Sequence, residues 1–268
     1  MSALKSYGTI LSMDKATWLG LLVGFGGILL GNVLEGGHTS SLMQLTAFVI
    51  VLAGTMGAVM VSSSEKDLKT GLGLAKKAFS NEDSQAKKRI QEIVDCARFA
   101  KKESLLGLEP RLNRIEDPLF RNILRNVVDG VEVENIRDIF ETQIQTEEEE
   151  LLAGAKIWTD AGGFAPTIGI IGAVLGLIHV MGNLTDTSKL GTGIAVAFVA
   201  TVYGVSSANL LFLPLGNKLK RKVLAVSREK QMILEGGLLI AKGMNPVVLE
   251  QKLYAFLDSE AMGSKQNG

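Results

Sequence analysis

The sequence predicts an all-α integral membrane protein with four transmembrane helices and a helical cytoplasmic domain. The chain of 268 residues is 47% hydrophobic with a mean hydropathy of +0.25, yet it carries 28 basic and 28 acidic residues. The charges must therefore be segregated from the apolar stretches. Four windows free of Asp, Glu, Lys and Arg are each near the length that crosses a hydrocarbon core of roughly 30 Å, namely 16–34, 42–61, 164–184 and 192–217.

The first two windows form a predicted hairpin. The first follows Lys15, without a small-residue cleavage site, and the second begins after a short turn. A removable signal peptide has a different arrangement, because its apolar segment ends at such a cleavage site. We therefore interpret both windows as membrane spans.

The basic residues predict the orientation of the spans. They precede the first span, follow the second and follow the fourth, whereas the two short turns at 35–41 and 185–191 hold only Lys189. By the positive-inside rule, both termini and the long loop face the cytoplasm. The predicted division is a cytoplasmic N-terminal segment, a transmembrane hairpin, a cytoplasmic helical domain, a second transmembrane hairpin and cytoplasmic C-terminal helices, at 1–15, 16–62, 63–160, 161–217 and 218–268.

Helical periodicity runs through the cytoplasmic segments. Apolar residues recur at helical spacing in 90–97, 119–128, 133–144, 223–239 and 247–257. Pro110, Pro118 and Gly130 predict breaks between helices, and a turn is expected at 243–246. The lone Cys96 lies in this part, where we expect a reduced thiol that serves as a small apolar residue.

Small residues recur four apart in every span. The pairs are Gly20/Gly24, Gly27/Gly31, Ala53/Gly57, Gly54/Ala58, Gly172/Gly176 and Ala200/Gly204/Ala208. This spacing lets helix backbones approach closely where lipid provides no hydrophobic driving force between helices. Four such spans favour a helix bundle or an oligomer over a simple membrane anchor.

The spans lack the ionisable group that an ion carrier needs. A charged side chain at the bilayer centre costs at least about 2.5–3.5 kcal/mol and usually marks an ion path. The only Asp, Glu, Lys, Arg or His in the four windows is His179, near the predicted outer end of the third. If the protein handles ions, another chain must supply a carboxylate.

Hydroxyl groups and two prolines are the other polar features of the spans. The hydroxyls are expected mostly to bond a carbonyl one turn back, and they belong to Thr46, Thr55, Thr167, Thr192, Thr201, Ser206 and Ser207. Pro166 is predicted at the cytoplasmic entrance of the third span and Pro214 at the cytoplasmic exit of the fourth, at the same depth. Each either bends its helix or is an ordinary proline of a first or last turn.

The third and fourth spans resemble a known family. The runs GGFAPTIGIIGAVLGLIHVMGNL (162–184) and GTGIAVAFVATVYGVSSANLLFLPLGNKLK (191–220) are similar to the paired spans of the flagellar stator subunits of the MotA/PomA type, in the wider MotA/TolQ/ExbB group of ion-driven motors. The likeness also covers AKKESLLGLE (100–109), EGG (35–37), AGTMGA (53–58), the acidic run 147–150 and GMNPVVLEQKLYAFL (243–257). The shorter TolQ/ExbB relatives lack the first hairpin, so four spans favour the flagellar branch.

The resemblance implies the partners and the roles of several residues. It implies a pentamer of this chain around a dimer of a MotB-like subunit, whose transmembrane helix brings an aspartate, in the bacterial inner membrane. Pro166 and Pro214 match the two functional prolines of the family, and Thr201 matches the hydroxyl that faces the partner's aspartate. Lys101 and Glu109 match the charged pair that engages the rotor protein FliG, and Lys102 is an auxiliary candidate.

Spacing adds an expectation about this charged pair. Residues eight apart lie on roughly the same side of a helix, about two turns from one another, if the helix is continuous. Lys101 and Glu109 are eight apart. The alternative is an ordinary solvated helix face. Ser104 stands where many relatives have Gly, and Gly107 where they commonly have Ala.

Ala173 departs from the sodium-driven members of the family, which carry Thr at this position, seven residues after the proline. A site that strips sodium of its water needs several oxygen ligands, so loss of a hydroxyl removes one of them. The sequence therefore predicts coupling to protons.

Two alternatives remain at this point. One is a TolQ/ExbB-type energiser of envelope processes, and the other is a small ion channel that acts alone. An enzyme is not expected, because the sequence has no phosphate-binding loop and no Cys/His metal cluster, and His38 and His179 both fall toward the outer side. No cofactor, metal or nucleic acid is expected to bind.

Overall fold

The computed structural model describes residues 12–13, 15–81, 85–182 and 187–257. Within these ranges the protein is helical, apart from a two-residue antiparallel strand pair of β1 (Ser12–Met13) and β2 (Ser80–Asn81). The α-helices are α1 (Lys15–Leu34), α2 (Leu45–Ser62), α3 (Glu65–Ala78), α4 (Ala86–Glu103), α5 (Glu109–Leu112), α6 (Pro118–Val128), α7 (Val133–Met181), α8 (Thr187–Ser207), α9 (Leu213–Ala241) and α10 (Pro246–Tyr254). Short 3₁₀ turns cover Thr39–Leu42 and Leu106–Leu108, and a π-helical segment covers Ala208–Phe212.

The predicted fold class is confirmed. Among the described residues, four helical stretches are long and apolar enough to cross a membrane, and each overlaps one of the four predicted windows. They are Lys15–Leu34, Thr39–Ser62, Val133–Met181 and Gly193–Ala241. Part of the predicted turn 185–191, the side chain of Thr192 and most of the segment 1–15 lie outside the described residues.

Two predicted helix boundaries are wrong. The stretch 133–144 and the third span belong to one helix, α7, and the stretch 223–239 continues from the fourth span through the π-helical segment into α9. The residues between 145 and 160 are mostly strong helix formers, so α7 has no local reason to end before the membrane. A lone proline interrupts a helix only locally when packing holds both of its sides.

The chain divides into two compact units. The first contains Met1–Glu82 and Glu150–Arg221, and the second contains Asp83–Glu149 and Lys222–Gly268. Thus α7 and α9 each contribute residues to both units. The predicted division into membrane and cytoplasmic segments concerns topology, which these units do not test.

The second unit has one hydrophobic core, built from the apolar faces that the periodicity predicts. Phe120, Ile123 and Leu124 from α6 are buried with Ile90 and Ile93 from α4, together with residues of α7, α9 and α10. Glycine lets α9 approach this layer closely, since a Cβ at position 236 would lie 2.8 Å from Ile93. Cys96 belongs to the same core, in agreement with its predicted role as a small apolar residue.

Local signals explain where the helices of this unit begin and end. The Asp117 side chain accepts a hydrogen bond of 2.9 Å from the backbone N–H of Phe120, directly before Pro118 at the start of α6. Gly130 and Gly243 have φ values of +75° and +66° at the ends of α6 and α9, a conformation that glycine adopts without steric cost. The predicted breaks at Pro118 and Gly130 and the turn at 243–246 are confirmed.

The acidic run 147–150 is partnered within each unit. In the second unit, Glu147 pairs with Lys230 at 2.5 Å, and Glu148 accepts a hydrogen bond from Ser227. In the first unit, Glu150 pairs with Lys66 at 2.5 Å. Part of the charge of this run is therefore offset by basic residues of α9 and α3.

Candidate functional site

The predicted ion-path helices α7 and α8 meet along a seam of small residues. A Cβ at Gly204 would lie 2.5 Å from the carbonyl oxygen of Ala165, and a Cβ at Gly169 would lie 2.8 Å from that of Ala200. A Cβ at Gly176 would lie 2.8 Å from the backbone nitrogen of residue 197. No side chain larger than hydrogen fits at these positions, so glycine permits direct contact between the two backbones.

Thr201 lies on α8 at the edge of this seam. A Cβ at Gly169 would lie 3.5 Å from the Thr201 Cα, and the Thr201 side chain is half-buried. Its hydroxyl donates to the carbonyl oxygen of Ala197 at 3.3 Å. This is the predicted bond to the preceding turn, and it is long, so a better acceptor could displace it at small cost.

Ala173 lies on α7, next to a residue of the seam. It follows Gly172, at which a Cβ would lie 2.8 Å from the Ala200 side chain, and it is one turn from Gly169. The Ala173 side chain is half-buried. Ala173, which the sequence interpretation linked to the choice of coupling ion, therefore adjoins the helix face that contacts α8.

Pro166 lies in the interior of α7 and not in its first turn. The interpretation of Pro166 as a first-turn proline is therefore wrong, because α7 begins 33 residues earlier, at Val133. A proline in a helix interior cannot donate to the carbonyl four residues back, here that of Gly162, and its ring crowds that carbonyl. Gly162 faces α9, since a Cβ there would lie 3.2 Å from the Leu213 nitrogen.

Pro214 follows the π-helical segment Ala208–Phe212 and is exposed. Proline has no N–H for the carbonyl four residues back, and the wider π turn directly before it relieves the clash with that carbonyl. Gly162, one turn from Pro166, contacts Leu213, the neighbour of Pro214. The structure thus brings the helix segments that contain the two prolines close to one another.

The predicted rotor-binding residues lie in the second unit, around a break in the chain. Lys101 and Lys102 are exposed in the last turn of α4, and Glu109 is exposed at the start of α5. Helix α4 ends at Glu103, and Ser104 has φ 81° and ψ 168°. The expectation that Lys101 and Glu109 share one continuous helix is therefore wrong, because the backbone turns out of the helix at Ser104.

This loop is nevertheless firmly anchored. Leu108 is 1% exposed and its N–H donates to the Leu105 carbonyl at 3.0 Å, while the Arg111 guanidinium lies 3.7 Å from the centre of the Phe99 ring. Leu106, between the two anchoring leucines, is 69% exposed. The loop therefore presents its side chains from a fixed backbone.

The charges of this loop are available to a partner. Within the described ranges, Lys101, Lys102 and Glu109 form no ion pair. Ion pairs of this unit instead involve other residues, such as Lys88 with Glu116 at 2.8 Å. Unpaired charges on a fixed loop suit the recognition of a complementary surface.

Tyr203 was not singled out from the sequence, and Thr55 does not make, in the described part of the chain, the bond to a carbonyl one turn back that was expected of it. The Tyr203 hydroxyl links α8 to the residues before α2. The sequence feature that could have indicated this contact is an aromatic hydroxyl in an otherwise apolar window. Thr55 is fully buried in α2, and its hydroxyl has no hydrogen-bond partner among the described residues. Thr167 and Ser207, in contrast, make the predicted bonds to a carbonyl one turn back.

Comparison with known proteins finds similarity along almost the whole chain. Residues 111–232 match the model of the MotA/TolQ/ExbB proton channel family, and residues 18–102 match that of the Motility protein A N-terminal region. The chain is 35% identical to motility protein A of Bacillus subtilis over 96% of its own length and 97% of the relative.

Two solved structures have the same fold. A chain of the C. jejuni MotAB structure superposes with a TM-score of 0.87 at 35% identity, covering 92% of this chain and 97% of that chain. A chain of the flagellar MotAB stator complex from Bacillus subtilis gives a TM-score of 0.85 at 34% identity, covering 94% and 99%.

Proposed function

Because the chain belongs to the MotA/TolQ/ExbB proton channel family, we propose that it is the ion-conducting stator subunit of a bacterial flagellar motor. The observation that carries the proposal is the match of residues 18–102 to the Motility protein A N-terminal region, which covers most of the first hairpin and extends to Lys101 and Lys102. The four apolar helices embed the protein in a membrane. We place it in the bacterial inner membrane, with both termini in the cytoplasm.

The proposed assembly is a ring of five copies around a dimer of a MotB-like subunit. Both similar structures are described as MotAB, and one as a flagellar stator complex. The four windows of this chain contain no carboxylate. A partner helix with an aspartate supplies the group on which an ion path depends.

In the proposed mechanism, a proton enters beside α7 and α8 and neutralises the partner's aspartate next to Thr201. The weakly held Thr201 hydroxyl can turn from the Ala197 carbonyl to the carboxylate, since its present bond is 3.3 Å long. Neutralisation lowers the cost of moving the aspartate past an apolar subunit interface. An ion that crosses the membrane gains about 2.3 kcal/mol per 100 mV, which is enough to bias such a step.

The two prolines serve as bends in this mechanism. Pro166 and Pro214 weaken the hydrogen bonding of α7 and of the turn before α9, two helices that also supply residues to the unit with Lys101 and Glu109. A rearrangement beside Thr201 is then passed along these helices. Lys101, Lys102 and Glu109 engage the rotor protein FliG and convert the motion of the ring into rotation.

The first test is ion flux in proteoliposomes. We compare this protein alone with the complex that contains a MotB-like partner lacking its plug, under proton and sodium gradients. Flux only with the partner is expected. Flux from this chain alone would overturn the proposal in favour of a self-contained channel, and a chain that restores nutrient uptake but not swimming would favour a TolQ/ExbB-type energiser.

Ion specificity is tested separately. We propose protons as the coupling ion because Ala173 offers no hydroxyl oxygen, and sodium sites need several oxygen ligands. Replacing sodium with potassium at constant pH should leave swimming intact. Loss of swimming in potassium medium would contradict proton coupling without affecting the assignment as a stator subunit.

The bending role is tested with Pro166→Ala. This change restores the missing helical hydrogen bond, so torque under load should fall while ring assembly remains intact. Thr167→Val is the matched control, since the Thr167 hydroxyl only bonds the Phe164 carbonyl of its own helix, at 2.8 Å. Unchanged swimming of Pro166→Ala under load would refute the bending role.

The loop is tested by charge reversal. Lys101→Glu should abolish swimming without changing ion flux, because the loop acts on the rotor and not on the ion. Lys76→Glu, an exposed lysine of α3 in the other unit, is the control. A flux defect in Lys101→Glu would show that the residue acts in the ion path instead.

A further inference from the structure

The Tyr203 hydroxyl joins α8 to the entrance of α2. It accepts a hydrogen bond of 3.4 Å from the backbone N–H of Gln44 and donates to the carbonyl oxygen of Leu42. Both partners belong to the segment just before α2, about 160 residues away along the chain. The phenol thus pairs with the N–H of Gln44, at the start of α2, and with the carbonyl of Leu42, at the end of the preceding 3₁₀ turn.

The Tyr203 ring is held as firmly as its hydroxyl. It makes an edge contact with Phe48, with 6.4 Å between ring centres and 88° between ring planes. It also packs against a buried cluster that includes Val51 and Val199. One side of α8 is therefore fixed against α2 by both apolar and polar contacts.

Tyr203 and Thr201 lie on different sides of α8. Residues two apart on an α-helix are separated by about 200° around its axis. Tyr203 contacts α2, whereas the backbone of Thr201 contacts α7 near Gly169. A turn of α8 about its axis that stretched the Tyr203 bonds would therefore also move the Thr201 side chain.

We propose that Tyr203 is a positioning residue for the ion path, which fixes the rotation of α8 about its axis and so directs the Thr201 hydroxyl. The inference rests on the role proposed for Thr201 and adds a function for the first hairpin. The segment before α2 serves as the fixed point against which α8 is oriented. In an apolar environment a hydrogen bond has no competing water, so the pair of bonds at Tyr203 resists rotation better than ring packing alone.

Tyr203→Phe is the decisive variant, because it retains the ring and its contact with Phe48 and removes only the hydroxyl. Proton flux through the assembled complex should fall about tenfold, as small misplacements of a catalytic group cause losses of this size or more. The amount of assembled complex should not change. Thr167→Val is the control, since it also removes one hydroxyl from a span, and its flux should equal that of the unmodified complex.

A double-mutant cycle distinguishes positioning from general support. If Tyr203 acts through Thr201, then Tyr203→Phe should cause little further loss in a Thr201→Val background. Flux losses that multiply would overturn the inference and leave the role of Thr201 intact. A full flux in Thr201→Val alone would refute that role and the inference with it, and a full flux in Tyr203→Phe would overturn the inference alone.

A second measurement covers the case in which Thr201→Val has no measurable flux. Thr201→Cys, in a Cys96→Ala background, is cross-linked to a cysteine placed at the partner's aspartate. Tyr203→Phe should slow disulfide formation about tenfold, because the residue at position 201 is no longer directed at the partner. An unchanged cross-linking rate would overturn the inference.

Discussion

Replacing Ser104 with glycine should stabilise the second unit. Ser104 has φ 81° and ψ 168°, a backbone region that is essentially restricted to glycine and costs other residues about 1–3 kcal/mol. Glycine offsets part of this gain, since its greater freedom in the unfolded chain costs roughly 0.5–1 kcal/mol. The middle of the two ranges gives a net gain of about 1 kcal/mol, or roughly fivefold in an opening equilibrium.

Cys96 provides the assay for this prediction. It is the single cysteine of the chain, it is 7% exposed in the core of the same unit, and burial raises the pKa of its thiol to about 11. A thiol reagent therefore modifies it mainly after the unit opens. In a complex with a cysteine-free partner, Ser104→Gly should slow labelling about fivefold, whereas Ser104→Ala should not slow it.

A glycine at an ordinary helical position is the matched control. Gln91 is exposed in the middle of α4, so Gln91→Gly should accelerate the labelling of Cys96 by roughly two- to fivefold. If Ser104→Gly also accelerates labelling, or leaves its rate unchanged, then the backbone at Ser104 is not strained and the reasoning is wrong.

Three further predictions concern burial. Gly204→Ala should lower the unfolding midpoint of the complex, at a cost of about 1–3 kcal/mol, since its Cβ would lie 2.5 Å from the Ala165 carbonyl oxygen. Gly27→Ala, where no described atom lies within 4 Å of a Cβ, should not lower the midpoint. Thr55→Val should raise that midpoint, since it removes a buried hydroxyl that has no hydrogen-bond partner among the described residues and whose desolvation costs about 1–3 kcal/mol. A lower midpoint would contradict this. On folding, the pKa of the Cys96 thiol rises from its ordinary 9.0 to about 11. The part of the stability that comes from this shift is fully present below pH 9 and should be lost as the pH rises through 11. The loss, about 2–3 kcal/mol, should appear in denaturant midpoints and be absent in Cys96→Ala.

The apolar windows predicted the spans because a membrane imposes a strong and local demand on the sequence. The same holds for the cytoplasmic helices, whose ends at Gly130 and Gly243 follow from residues that adopt positive φ. The features that the sequence did not predict depend on contacts between residues that are distant along the chain. The continuity of α7 across Pro166 depends on neighbours that hold both sides of the proline, and a sequence window does not contain those neighbours.

The candidate site shows the same distinction. The small residues Gly172, Gly176 and Gly204 predicted close helix packing, which the structure confirms. Lys101 and Glu109 were expected on one helix because spacing alone treats the intervening residues as helical. Ser104 adopts a conformation that serine rarely takes, so its identity predicted no break. The bonds of Tyr203 join segments that are distant in sequence, and no local pattern predicts them.

The π-helical segment Ala208–Phe212 also determines how the two halves of the fourth span face their neighbours. A π turn holds one residue more than the α-helix needs there, which rotates everything after it by about 100°. Before this segment Gly204 contacts Ala165, and after it Gly216 contacts Thr159 of the same helix. Replacing the π turn with an uninterrupted α-helix of the same length would preserve the composition of both halves, yet it would turn Gly216 away from α7 by about 100°. The orientation of Pro214 relative to Thr201 around the helix axis therefore depends on the π turn between them.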